Sequence, residues 1–215
     1  MSYLLKSMFK KVFINENKKK SKLEENKSFF NEWAKTYDTN FGNYFLKKAQ
    51  KDSINMISKE NFSALDVSCG TGEGLLMLRE KTKGKIRGVD ISEEMLKIAK
   101  QKISEHNVEL KKASVEKLPY EDETFDVVIS TEAFHHYPNP DKAISEMNRV
   151  LKKGGELIIT DPDFLFFNRI FEKLEPGCVH IYNKKEMKNL FIQAGLNNIE
   201  QRRTEIAFFI TKGIK

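Results

Sequence analysis

Ala64-Leu-Asp-Val-Ser-Cys-Gly-Thr-Gly-Glu-Gly74 joins a short apolar run to a glycine-rich turn. A β-rich run, closely spaced glycines and then a helical pattern read as strand, tight loop and helix. Glycines at alternate positions let the backbone turn sharply and approach a ligand without side-chain interference. The following helix points its free N–H groups and positive dipole end at the same place. A dinucleotide fingerprint is spaced G-x-G-x-x-G. Here the spacing is G-x-G-x-G, and Leu75 stands where the third dinucleotide glycine would be. Asp66, inside the strand, would repel a pyrophosphate but suits a ligand carrying an ammonium group.

Outward from this turn, β-rich runs alternate with helical patterns. Strands are expected at Ser63–Cys69, Lys85–Ile91, Val108–Ser114, Phe125–Thr131 and Gly155–Asp161, with helices at Glu73–Lys83, Ser92–His106 and Asp141–Leu151. Such alternation predicts a parallel sheet covered by helices on both faces. After Asp161 comes an irregular, aromatic-rich insertion (Phe164, Phe166, Phe167, Phe171). A helix at Lys184–Ala194 stops at Gly195. Two further β-like runs, Ile199–Glu205 and Ala207–Lys212, are close enough in sequence to pair antiparallel. The predicted fold is α/β and Rossmann-like: seven strands, mostly parallel, the last antiparallel, preceded by a helical N-terminal extension.

That extension divides in two. Residues 1–20 read as a basic amphipathic tail and linker. Within it, Leu4, Leu5, Met8, Phe9, Val12 and Phe13 fall at helical spacing, and residues 15–22 read as solvated. The apolar stripe of residues 1–14 suits packing against the body or a second copy; contact with an anionic membrane surface is the alternative. Residues 21–59 read as two helical segments forming a lid. The first carries Phe29, Phe30, Trp33 and Tyr37, and Asp38-Thr-Asn-Phe-Gly-Asn43 supplies the turn between them. Residues 60–215 form the ligand-binding domain.

The 215 residues suit one such domain plus an appendage. Of the net charge of +6, residues 1–27 carry +5, so the body is almost neutral. This argues against a broad nucleic-acid-binding face. No run of 18 apolar residues exists to span a membrane, and the N-terminal apolar residues are broken by lysines, so a cytoplasmic protein is expected. Cys69 and Cys178 lack the spacing of a disulfide framework or zinc ribbon, and no metal is expected.

The second strand ends Arg87-Gly-Val-Asp-Ile-Ser92. An acidic side chain at that tip, Asp90, can accept hydrogen bonds from both ribose hydroxyls. Ser92 then caps a helix with Glu93 and Glu94 in its first turn. Glycine backbone and one acid therefore await an amino-acid moiety, and a second acid awaits a ribose. S-adenosylmethionine (SAM) is a nucleoside joined to an amino acid and satisfies both.

From about Phe30 to the C-terminus the chain resembles the class I SAM-dependent methyltransferases, of the small-molecule type similar to ubiquinone/menaquinone-biosynthesis methyltransferases. Besides the glycine loop, four stretches carry the resemblance: residues 30–38 (aromatic-Tyr-Asp), 116–130 running into the fourth strand, Phe134-His-His-Tyr-Pro-Asn-Pro-Asp141 after it, and 149–161 turning into the fifth. The resemblance implies that Gly70 and Thr71 contact the methionine part of SAM, with Asp66 near its ammonium group. Asp90 would hold the ribose, Ile91 and Met95 would flank the adenine, and Ser114, Val115 and Glu116 would sit at its edge. Thr131 would close the pocket and Tyr37 cover it. Two residues depart from the family pattern. Ser68 replaces the first loop glycine, and is tolerated if its φ is negative. Ser114 replaces an aspartate that would meet the adenine amino group.

Methyl transfer from a sulfonium is an in-line displacement, so alignment is the enzyme's main task. A base helps when the acceptor is a hydroxyl or a protonated amine. His135 and His136 follow the fourth strand where the pocket opens and are the candidate bases; in an extended loop only one would face substrate. The Phe164–Phe171 cluster suits an apolar acceptor pocket, whereas Phe30 and Trp33 read as packing of the lid helix. The expected acceptor is a small, apolar or aromatic molecule. The alternatives are a methyltransferase acting on RNA or protein, a non-catalytic SAM-binding module, and a nicotinamide oxidoreductase.

Overall fold

A computed structural model describes residues 3–39, 43–204 and 207–215, with side chains from residue 17 onward apart from that of residue 43. The amphipathic stripe of residues 1–14 and residue Glu205 of the last predicted hairpin thus lie outside the described side chains. Seven strands form one sheet: β1 (Ala64–Val67), β2 (Ile86–Asp90), β3 (Val108–Lys112), β4 (Phe125–Thr131), β5 (Leu151–Pro162), β6 (Asn197–Arg203) and β7 (Phe208–Ile214), in the order β3-β2-β1-β4-β5-β7-β6. β1 to β5 run parallel, and β7 pairs antiparallel with both β5 and β6. The order reverses beside β1, which leaves a crevice at the carboxyl ends of β1 and β4.

The helices are α1 (Tyr3–Tyr37), α2 (Asn43–Asn55), α3 (Glu73–Lys81), α4 (Glu93–Lys102), α5 (Pro140–Val150), α6 (Asn168–Leu174) and α7 (Lys184–Gln193). Side chains alternate across β1: Leu65 and Val67 join the core that includes Met147 of α5 and Phe191 of α7, while Ala64 joins the core with Ile54, Leu75 and Leu78 of α2 and α3. Both sheet faces are therefore covered. Asn183 opens α7 as a capping box with Glu186, and Gly195 ends it at φ +84°, where only glycine is unstrained.

Three local expectations are revised. α1 is one unbroken helix through residues 15–22, where the sequence reads as a solvated linker. Lysines and glutamates one turn apart, such as Lys22–Glu25 and Lys27–Glu24, are good helix formers and support it on the exposed side. The insertion after β5 is ordered as a short 3₁₀ turn and α6. Ser68 adopts φ +62°, not a negative value. The loop keeps the left-handed turn that a glycine would make there, and the serine bears a strain of about 1 kcal/mol. Its hydroxyl, 2.8 Å from Tyr137 Oη, offsets part of that cost.

Candidate active site

The glycine loop, the tips of β2 and β4 and the C-terminal half of α1 line a cavity. Gly70 and Thr71 line its floor, and Gly70 at φ +52° presents open space where a side chain would stand. Asp90, Ile91 and Met95 line one wall, and Ser114 and Val115 continue it. Thr131 and Tyr37 line the cavity as well. Nine of the eleven cofactor residues expected from sequence therefore converge. Glu116 does not line the cavity; its carboxylate accepts from the Asn139 side-chain amide at 2.8 and 2.9 Å. Nor does Asp66, which lies beneath the loop. Its Oδ2 sits so close to Gly74 that a Cβ there would lie 2.8 Å away, so the third glycine of the motif lets α3 approach this carboxylate.

The two acids differ in their bonding. Asp90 Oδ2 accepts the Gly70 N–H at 2.9 Å, and its Oδ1 accepts the Ser92 N–H at 2.8 Å. Burial raises its pKa to about 6, although these backbone donors pull it down. Asp66 Oδ1 is buried and meets no partner among the described residues. Burial, and then the charge of Asp90, raise the Asp66 pKa to about 8. A buried acceptor without a donor is costly in a folded protein. It fits a cationic ligand group, so these residues suit the amino-acid and ribose ends of SAM.

Several side chains hold this arrangement. Ser92, fully buried, caps α4 by accepting the Met95 N–H at 3.1 Å and donates to Asn31 of α1 at 2.7 Å. Thr71 donates to Asp38 at 2.8 Å, and Lys102 of α4 reaches Asp38 at 2.7 Å. Asn26 of α1 donates to the His136 carbonyl at 2.8 Å. Helix α1 is thus tied to the glycine loop, to α4 and to the turn after β4. The Ser114 hydroxyl accepts the Glu116 N–H at 3.2 Å while lining the cavity.

A second cavity adjoins the first. It shares Phe30, Tyr37, Glu132 and His136 with it, and adds Trp33, Leu46, Phe164, Phe171 and Phe208. Phe30 and Trp33, which read as packing residues, form part of this aromatic wall. Phe164 and Phe171 stack at 3.8 Å between centroids. Phe166 and Phe167 do not enter it; they face outward.

The histidines follow a 3₁₀ turn at Phe134–His136, not an extended loop, and their rings lie 4.0 Å apart. Both line the second cavity, and only His136 lines the first. They differ sharply in charge. Burial opposes protonation of His135, but Asp161 on Nδ1 (2.8 Å) and Glu175 on Nε2 (3.0 Å) prevail and raise its pKa to about 10. Burial, and then the neighbouring charge of His135, lower His136 to about 3. His135 is a locked imidazolium and His136 a neutral ring. Glu175 also supplies a third donor: one ligand atom each from His135, His136 and Glu175 lie within 4.8 Å of one another. Spacing along the chain gave no such partner, because Glu175 arrives from 39 residues downstream.

Glu132 escaped the sequence reading. It sits at the tip of β4 at φ +57°, with both carboxylate oxygens buried and no partner among the described residues. Burial raises its pKa to about 8, against the pull of His135. It lines both cavities. The signal available was its place directly after Thr131, at a strand's carboxyl end in an open parallel sheet.

Comparison with known proteins agrees with this geometry. Residues 65–159 match the family described as a methyltransferase domain. A demethylmenaquinone methyltransferase of Staphylococcus aureus is 31% identical, over 92% of this chain and 88% of its own length. The chain belongs to the class I SAM-dependent methyltransferases and resembles those of quinone biosynthesis. A SAM-dependent methyltransferase from Aquifex aeolicus superposes with a TM-score of 0.68 at 26% identity, covering 86% of this chain and 97% of its own. The fold also recurs in Haemonchus contortus phosphoethanolamine N-methyltransferase 2, crystallised with S-adenosyl-L-methionine (TM-score 0.68, 16% identity, 86% of this chain and 60% of that one). The chain is therefore a SAM-dependent methyltransferase enzyme.

Proposed function

We propose that the acceptor is a small aromatic molecule with an ionisable hydroxyl, of quinol type, bound in the second cavity. The observation that carries this is the aromatic wall of Phe30, Trp33, Phe164, Phe171 and Phe208 opening directly onto the cofactor cavity. The demethylmenaquinone methyltransferase relatives support the same acceptor class. A cytoplasmic enzyme accords with two cysteines that are both free.

In this reading Gly70 and Thr71 meet the methionine moiety, Asp66 neutralises its ammonium, and Asp90 grips the ribose. Ile91 and Met95 flank the adenine, Ser114 and Val115 meet its edge, Thr131 closes the pocket, and Tyr37 covers it. Residues 21–59 act as the lid, since Asn26, Phe30, Tyr37 and Gln50 all line the cavity. SAM supplies an electrophilic methyl group on a sulfonium.

The chain's own residues then position the acceptor and remove its proton. His135 is already protonated and cannot serve. His136 stays neutral but is a weak base in its apolar setting. Glu132 is the remaining group, poised between the two cavities with both oxygens uncommitted. A nearby cation draws Glu132 toward its carboxylate form. That carboxylate takes the hydroxyl proton of the acceptor, which makes the adjacent ring carbon nucleophilic as the methyl leaves sulfur. A neutral thioether departs. The methylated carbon must then give up its ring hydrogen while the oxygen recovers a proton, which Glu132 can return; this restores the aromatic quinol, and one proton is released overall.

The test is incubation of the enzyme with SAM and a demethylmenaquinol, followed by mass spectrometry. A product heavier by one methylene, with stoichiometric S-adenosylhomocysteine, is expected; no product despite cofactor binding overturns the acceptor assignment. A second reading, an amine acceptor, is favoured by Glu132 and Glu175 beside aromatic rings. The same assay with aromatic amines separates the two.

A further inference from the structure

Among the described residues, the largest run of exposed apolar side chains lies on the segment leading into α6. Leu165, Phe166, Phe167, Ile170 and Leu174 expose 60%, 95%, 59%, 54% and 69% of their surface. Phe166 is all but free of protein contact. A monomeric soluble protein seldom displays such a cluster unless it binds something. The inward side of the same segment is the second cavity: Phe164, Phe171 and Leu174 line it. One short element therefore has an acceptor-facing side and a solvent-facing apolar side, joined through Phe171 and Leu174.

The charges on this element are sorted by face. Arg169 and Lys173 are exposed beside the apolar residues. The acids are turned away: Glu172 accepts the Ile181 N–H at 2.9 Å and pairs with His180 at 2.7 Å, and Glu175 is engaged by His135. Apolar side chains flanked by cations match an anionic lipid surface, where the rings enter the acyl boundary and the cations meet phosphates.

We infer that residues 165–174 dock onto an anionic phospholipid bilayer and open the second cavity toward it, so that a lipid-soluble acceptor enters from the membrane. This rests on the apolar acceptor proposed above, since a water-soluble acceptor would need no such entrance. No helix among the described residues is long and apolar enough to cross a membrane, so the contact is peripheral. It uses an element distinct from the stripe of residues 1–14.

The experiment is flotation of the full chain with vesicles of phosphatidylglycerol and phosphatidylcholine, and with phosphatidylcholine alone, without acceptor or SAM. The chain should float with the anionic vesicles at low salt, and at least tenfold less with the neutral ones. A Phe166→Ser/Phe167→Ser/Ile170→Ser variant, altered only outside both cavities, should lose at least tenfold in vesicle partitioning while its S-adenosylhomocysteine affinity stays unchanged. Wild-type protein that stays in solution with anionic vesicles overturns the proposal. So does a variant that floats like wild type, which would assign binding to the basic α1. Light scattering that shows a dimer broken by these substitutions, with no vesicle binding, overturns it in favour of a second copy. Because the readout needs no turnover, it stands or falls separately from the quinol reaction.

Discussion

Nδ1 of His135 lies 2.8 Å from Oδ1 of Asp161, with both side chains almost wholly buried. Glu175 closes the other side of the ring, and the imidazolium is the charge that balances this group. Replacing it with a neutral residue leaves Asp161 buried and unpaired. His135→Asn should therefore cost about 3–5 kcal/mol of stability, read by urea unfolding at pH 7.

The same pair predicts a pH dependence. The His135 pKa is about 10 in the folded chain and about 6.5 when unfolded. Its contribution is full below pH 6.5 and is lost as the pH rises toward 10. Wild-type stability should fall across that window, and the component due to His135 should be missing in His135→Asn. A slope above pH 7 unchanged by the substitution would show that the ring is not the group responsible.

Asp90 tests the ribose assignment. Its oxygens already hold Gly70 and Ser92, so it shapes the loop as well as facing the cavity. Asp90→Ala should weaken S-adenosylhomocysteine binding by about 1–3 kcal/mol, roughly 5- to 150-fold, through loss of charge-assisted bonds. Asp90→Asn, which preserves an acceptor, should recover part of that loss. Calorimetry showing wild-type affinity in both variants would remove Asp90 from the site.

The parallel strands, the glycine loop and the cap at Ser92 were legible because each rests on local chemistry: apolar runs, backbone freedom and a side chain meeting its own helix. The histidine–carboxylate group was not, since Asp161 and Glu175 come from 26 and 40 residues beyond His135 and meet it only through tertiary packing. Phe30 and Trp33 do pack on the lid helix, against each other and Tyr37, but that they also line a cavity was not legible, for a related reason. An aromatic on a helix face packs in the same way whether its neighbour is core or cavity. Ser68 was misjudged because a loop inherits its φ from the turn it must make, not from the residue that occupies it. Residues 15–22 misled because a lysine-rich stretch suits a solvated helix as well as a linker.

Asp66 leads to a prediction about protons. At pH 7 its carboxyl, with a pKa of about 8, is mainly protonated, and an ammonium group placed beside it would draw the proton off. Binding of S-adenosylhomocysteine at pH 7 should release protons, seen by calorimetry in buffers of different ionisation enthalpy. Asp66→Asn should reduce the release and weaken binding at least tenfold. The raised pKa also fixes a sign for the ligand-free protein: stability is greatest below pH 4 for this group and declines as the pH rises through 8. Ligand should offset that decline.

Glu132 tests the proposed proton transfer. If it removes the acceptor proton, Glu132→Gln retains shape and polarity but loses the base. The kcat should then fall by about 10²–10⁴, with S-adenosylhomocysteine affinity within about threefold of wild type. A merely structural carboxylate would behave differently. Glutamine would remove an unpartnered buried acid, so stability would rise or hold, and kcat would be spared. The pH profile separates these outcomes further. Wild-type kcat should climb with pH through the Glu132 titration, at a pKa below 8 once a cation is bound beside it, and this limb should vanish in Glu132→Gln. A retained limb in Glu132→Gln would show that another group takes the proton and would overturn the assignment to Glu132.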